Sequence, residues 1–274
     1  MFETPALRRI FVGWQRFRDW TGLTIAALIA VAAGIVALAA TVVGFSGITE
    51  DVWQHNGLAS SDPARLQWFV DHRPDALVSA ARVGSELGGP IALAVFAVVA
   101  AGVLWMRGRR LLVAVAPGIA FVLSGVAVAV GKSIVDRSRP PVPLHLVPES
   151  DASFPSGHAT ESTALFVTLA LVVAVFVLRR PIARAATVLG AGLLSFVVGA
   201  SRVVLGVHWP SDVLAGWVLG AGTALAVTLV ASLVAHVAPT RPISNRPLAG
   251  LVHLASRERD SRGSQRRPQP LEAA

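Results

Sequence analysis

The sequence predicts an all-α protein, a six-transmembrane-helix bundle, and three observations carry that expectation. Hydrophobic residues fill 54% of the 274 positions and charged ones only 15%, a balance unlike that of a soluble globular domain. Interrupting the chain at every Asp, Glu, Lys and Arg leaves six long uncharged runs, residues 20–49, 87–106, 111–131, 162–178, 185–201 and 213–240. Each approaches the roughly 17 to 25 residues that a helix needs to cross a hydrocarbon layer, where unpaired backbone is not tolerated. The third observation is charge. With the amino terminus taken as cytoplasmic, seventeen Arg fall on the inner side and seven Lys or Arg on the outer side. That asymmetry is the one expected of a multi-pass protein of the cell membrane with both termini cytoplasmic.

Taken in order, residues 1–19 form a cytoplasmic amphipathic lead-in, with Ile10, Phe11, Trp14 and Phe17 at helical spacing among arginines, suited to lying on the membrane. Residues 20–238 form the six-span domain. Its first run follows basic residues and carries "ALA" at Ala37 to Ala39, which resembles a signal-peptide cleavage site; an uncut anchor is preferred, since cleavage would leave five spans. The outer segment 45–88 is polar at first, and its Pro63 and Pro74 predict two short helices, with Ser61 or Asp62 capping the first. By length alone the two shortest runs also fit a buried helix of a soluble core. However, the short connections "RGRR" and "RRPIAR" both fall on the basic side, which favours spans. The proline-rich segment from Lys132 to His158 predicts an ordered outer loop, and Ser201 to Asp212 a short one. The tail 239–274, rich in Arg, Pro, Ser and Gln, predicts a disordered basic cytoplasmic segment in contact with anionic lipid.

Composition excludes several chemistries. Without cysteine there are no disulfides, thiolate nucleophiles or cysteine-ligated metals, and without tyrosine no phenolic nucleophile. The isoelectric point near 11.6 reflects basic residues spread over the inner flanks of helices, so no nucleic acid partner is expected. Trp14, Trp20, Trp53, Trp105 and Trp209 lie near span ends, where they anchor the protein at the interface.

The polar residues sort by depth. Lys132 and Arg139 follow the third run, His158 precedes the fourth, Arg202 follows the fifth, and His208 and Asp212 precede the sixth. All face one side, which predicts an extracytoplasmic active site. Lys132 is the only lysine in the chain. Three convergent cations suit a phosphoryl group, because guanidinium forks match phosphate oxygens and an ammonium adds a point charge. Ser156 and Gly157 would open the fourth helix, whose free N–H groups and dipole favour an anion; glycine allows close approach and the serine hydroxyl adds a donor. His208 lies four residues before Asp212, so the carboxylate can hold one ring nitrogen and present the other as a nucleophile. His158 is then left as general acid and base.

These stretches resemble a known family. "KSIVDRSRP" (Lys132 to Pro140), "PSGH" (Pro155 to His158) and "SRVVLGVHWPSD" (Ser201 to Asp212) are similar to the three signature motifs of the type 2 phosphatidic acid phosphatases, K-x6-RP, PSGH and SR-x5-H-x3-D, with every fixed position present in order. The resemblance implies that Lys132, Arg139, Ser156, Gly157, His158 and Arg202 bind phosphate. It further implies that His208 is the nucleophile, Asp212 its partner and His158 the acid and base, with no metal or cofactor.

Each motif also has a plainer reading. "PSGH" alone is an ordinary helix-start turn, Lys132 and Arg202 alone are residues snorkelling to the interface, and His208 alone is a histidine satisfied by a carbonyl. Asp136 and Arg137 are left outside the site, paired with each other or with the loop. Glu161 is expected to cap or orient its helix and His236 to bond between helices, while His55, His72 and His145 lack metal-ligand spacing.

The function expected is hydrolysis of a lipid phosphate or polyprenyl diphosphate, of the phosphatidic acid, phosphatidylglycerophosphate or undecaprenyl-diphosphate type. The partners are that substrate and membrane lipids, and the oligomeric state is open. Transfer of the phosphate to a lipid or sugar acceptor and non-enzymatic lipid transport are the alternatives; the similar vanadium-dependent haloperoxidases are soluble, which six spans oppose.

Overall fold

The computed structural model describes residues 25–237, all helix, turn and loop. Among the described residues nine α-helices follow in order: α1 Ile25–Gln54, α2 Gly57–Ser60, α3 Asp62–Asp71, α4 Asp75–Leu87, α5 Pro90–Met106, α6 Leu111–Val135, α7 Gly157–Phe176, α8 Pro181–Val204 and α9 Pro210–Val237. Five are long and apolar enough to cross a membrane, and the pair α4 and α5, bent by 53°, brings the number to six if it is counted as one span. The bend has a local cause. Gly88 and Gly89 interrupt the helix, and Pro90, without an N–H, restarts it at its first turn. The run expected over 87–106 is thus a 17-residue helix at the short end of the spanning range, extended by an amphipathic neighbour.

The other helices run past the charges that bounded the uncharged runs. Lys132 lies inside the last turn of α6 and Arg202 inside that of α8, while His158 and Asp212 fall in the first turns of α7 and α9. Lys132, Arg202 and Asp212 each have an ion-pair partner there. In the outer segment the two helices framed by Pro63 and Pro74 are present as α3 and α4. Neither Ser61 nor Asp62 caps α3 with its side chain, because Asp62 points elsewhere, as described below. The lead-in 1–19, Trp14 and Trp20, the tail 239–274 and the His236 side chain lie outside the described residues.

The central element is α7, packed against α5, α6, α8 and α9. Lipid gives no hydrophobic drive for helices to associate, so close backbone approach has to supply contact, and small residues provide it. A Cβ at Gly220 of α9 would lie 2.4 Å from the Thr160 carbonyl oxygen of α7, and one at Gly216 2.8 Å from Ala159 Cβ. At the α4–α5 bend, a Cβ on Gly88 would stand 2.1 Å from Val198 Cγ1 of α8. These contacts fix the register of α7 against α9, and so of His158 against His208. Gly220→Ala should therefore cost about 1 to 3 kcal/mol through overpacking. Gly190, with nothing within 4 Å, should accept alanine with no loss. Thermal unfolding midpoints of the two variants in detergent check the contrast.

Candidate active site

The ends of α6 and α8, the starts of α7 and α9, and the loop 136–156 meet at one end of the bundle. Each part is locally constrained. Asp136 takes the left-handed conformation, φ 44°, and turns the chain out of α6. Phe154 is fully buried and stacks on Phe45 of α1 at 5.9 Å, pinning the segment that leads to Ser156. The Ser156 N–H donates to the Asp212 carbonyl at 3.1 Å, tying the start of α7 to that of α9. Gly206, φ 75°, turns the chain out of α8 where a Cβ would stand 2.2 Å from the Leu144 oxygen. Arg73 of the outer segment holds the same crossing, donating to Leu144 at 3.2 Å and Val204 at 3.0 Å.

Around His208 the bonding partners decide which ring nitrogen carries hydrogen. Arg139 Nη1 lies 3.1 Å from Nε2, and a guanidinium can only donate, so Nε2 offers a lone pair. Nδ1 then carries the hydrogen and faces Asp212 Oδ2 at 3.4 Å. Asp212 is held in turn by the Trp209 N–H at 2.9 Å on Oδ2 and by Arg137 at 2.6 Å on Oδ1. Burial drives the His208 pKa down to about 4; Asp212 favours the charged ring, while Arg139 and Arg202 oppose it. At neutral pH the imidazole is uncharged, with its lone pair toward the cations.

Two loop carboxylates bridge the three cations. Asp151 pairs with both Lys132 and Arg139, and Glu149 with both Arg202 and Arg139. Partial burial works against the charge on Asp151, but hydrogen bonds from Lys132 and Arg139 prevail and hold its pKa at about 2. Arg202 also donates to Ser85 of α4. Two buried donors beside this cluster have no partner among the described residues, Ser156 Oγ and Arg202 Nε. His158 lies within electrostatic reach of Arg202, His208, Lys132 and Arg139. At Gly157 the nearest atom to an added Cβ is Val128 Cγ1 at 3.6 Å, so protein packing alone leaves room for a side chain.

Lys132, Arg139, Ser156, Gly157, His158, Arg202, His208 and Asp212 are thus brought to one place. Two expectations need correction. Arg137 does not pair with Asp136 or the loop alone: it binds Asp212 and Asp62, and lies 5.6 Å over the Trp209 ring. The Ser156 backbone N–H is not free for an anion, being engaged by Asp212; the N–H groups of Gly157, His158 and Ala159 are those with no earlier helical carbonyl. Trp209, expected as an anchor, also donates its indole N–H to Ser138 at 2.9 Å. Sequence reasoning missed Glu149, Asp151, Ser85 and Asp62. Of the residues left aside, Arg137 carried a signal, being a second arginine inside the first motif.

A family model described as PAP2 superfamily matches residues 111–234, which contain all eight of these residues. A decaprenylphosphoryl-5-phosphoribose phosphatase of Mycolicibacterium smegmatis is 36% identical over 158 residues, 55% of this chain and 77% of that protein. An undecaprenyl-diphosphatase of Sulfolobus acidocaldarius is 36% identical over 107 residues, 37% of this chain and 47% of that one. The crystal structure of a transmembrane PAP2 type phosphatidylglycerolphosphate phosphatase from Bacillus subtilis matches with a TM-score of 0.63 and 25% identity, covering 71% of this chain and 94% of that one.

The lowered His208 pKa has a consequence for stability. Between pH 6.5 and about 4 the unfolded chain binds a proton at this residue that the folded protein does not. Stability from this group is therefore present above that window and lost as pH falls through it. The unfolding midpoint in detergent should drop over that range, and His208→Gln should show a shallower drop. Equal slopes in the two proteins would count against the assignment.

Proposed function

The chain belongs to the PAP2 superfamily and is a phosphate ester hydrolase, and on that premise we propose that it removes phosphate from a membrane lipid through a phosphohistidine intermediate. The substrate is a lipid phosphate or polyprenyl diphosphate, as in the names of the related phosphatases. The reaction takes place at the extracytoplasmic surface, a placement supported by the excess of arginine on the opposite side. The observation that carries the reading is the Nε2 lone pair of His208, fixed from behind by Asp212 and set among three cations and two unpartnered donors.

In this reading Nε2 attacks phosphorus as the bond to the lipid oxygen breaks, and His158 protonates the departing oxygen. Water then attacks the phosphohistidine, His158 takes its proton, and the P–N electron pair returns to His208, releasing inorganic phosphate. Lys132, Arg139 and Arg202 hold the equatorial oxygens, with Ser156 Oγ and the first N–H groups of α7. The room left at Gly157 by its protein neighbours supports close approach of the phosphoryl group to the backbone. The three cations supply the charge that a metal ion would otherwise bring, so turnover is metal-independent.

Glu149 and Asp151 already occupy these cations and compete with the phosphoryl group for them. Each carboxylate has to yield when the substrate docks.

The test is release of free phosphate by purified protein in detergent, with EDTA, from phosphatidic acid, phosphatidylglycerophosphate, undecaprenyl diphosphate and decaprenylphosphoryl-5-phosphoribose. His208→Ala should abolish release. Substrate consumed only with an added lipid or sugar acceptor, its phosphate recovered on that acceptor and not as free phosphate, would show transfer instead of hydrolysis, and release by His208→Ala would overturn the nucleophile assignment. In the same assay, Glu149→Gln and Asp151→Asn should each lower the inhibition constant of inorganic phosphate by about fivefold, the scale of one partly exposed ion pair.

A further inference from the structure

The outer segment 45–88 sends one carboxylate into the protein behind the site. Asp62, in the first turn of α3, is fully buried. Its Oδ1 accepts the Ser211 N–H at 3.0 Å, and its Oδ2 accepts Arg137 Nη2 at 2.8 Å and the Ser211 hydroxyl. Both oxygens act only as acceptors, the pattern of an ionised carboxylate. Arg137 in turn donates from Nη1 to Ser211 Oγ at 2.8 Å and to Asp212 Oδ1 at 2.6 Å. A continuous chain therefore runs from Asp62 through Arg137 to Asp212 and on to Nδ1 of His208. Asp62 lies outside the segment that the family model matches, and no motif includes it.

A guanidinium bonded to Asp212 alone would neutralise it, leaving little net charge to hold the imidazole and to balance the positive ring formed when Nε2 bonds to phosphorus. With Asp62 sharing Arg137, the group behind His208 carries one net negative charge. We propose that Asp62 is a positioning residue for the phosphatase reaction, acting through Arg137 to keep Asp212 available to His208. The inference rests on the reading of His208 as nucleophile. It also gives the outer segment a part in the chemistry, because α3 completes the charge balance of the site.

Charge arithmetic makes the proposal testable. Asp62→Asn leaves the group behind His208 neutral, Arg137→Gln leaves it doubly negative, and the double variant restores a single negative charge. His208 is also faced by Arg139 from the loop, Arg202 from α8 and His158 from α7, none of which changes in these variants. The measurement is the pH profile of kcat/KM for lipid phosphate hydrolysis in detergent, with His208→Ala as the inactive reference.

Asp62→Asn should lower the plateau about tenfold, as loss of a group that orients a histidine does in comparable sites. It should also move the acid limb to lower pH. Arg137→Gln should move that limb to higher pH by roughly half a unit or more, and the double variant should return it toward the wild-type position. Opposed movements and their cancellation distinguish a charge role from a merely structural one, which would give loss without cancellation. If Asp62→Asn does not fold, Arg137→Gln still decides, since a limb that stays in place overturns the proposal. With His208→Ala inactive, an Asp62→Asn variant of wild-type rate and profile overturns the Asp62 assignment alone. Activity in His208→Ala overturns the nucleophile reading beneath it.

Discussion

Asp212 is the residue on which the rest of this site depends. Its carboxylate accepts from Arg137, from the Trp209 N–H and faces Nδ1 of His208, and its carbonyl accepts the Ser156 N–H. Three stretches of chain are therefore oriented by one residue at the first turn of α9. A fully buried carboxylate is costly unless every lone pair is used, and here the partners use them. Removing a partner from a buried charge network leaves an uncompensated charge, at a cost of about 3 to 5 kcal/mol, whereas the intact network adds little net stability. Such a network is better understood as fixing geometry than as holding the fold together.

What holds the fold together is contact between small residues. Gly216 and Gly220 let α9 lie against α7 at backbone distance, and Gly131 lets Pro155 approach α6, where a Cβ would stand 2.8 Å from its Cδ. The same contacts place Lys132, His158 and Asp212 at one level, because each lies within a turn or two of a close approach. Packing inside the membrane and geometry at its surface are thus set by the same residues.

The three cations are held together by two carboxylates of the loop. Lys132, Arg139 and Arg202 are mostly buried, and like charges this close repel unless something negative stands between them. Glu149 and Asp151 meet that need. They sit on a loop rather than on a spanning helix, where movement costs least, and Asp151 remains more than half exposed.

The spans and the gathering of eight widely separated residues at one end of the bundle were legible in the sequence. Hydrophobic run length, i to i+4 spacing such as His208 to Asp212, and turn chemistry such as Pro155-Ser156-Gly157 are local properties that sequence order preserves. Span boundaries were less legible, since Lys132, Arg202 and Asp212 look like helix ends until their partners are known. The tertiary structure alone decided those partners. Arg137 and Asp62 are separated by 75 residues and Asp62 and Ser211 by 149, and no periodicity links positions so far apart. Sequence determined which groups reach the membrane surface, because that depends on hydrophobic length. Folding determined which carboxylate faces which cation, because that depends on how loops close between helices that lipid and small residues have already packed.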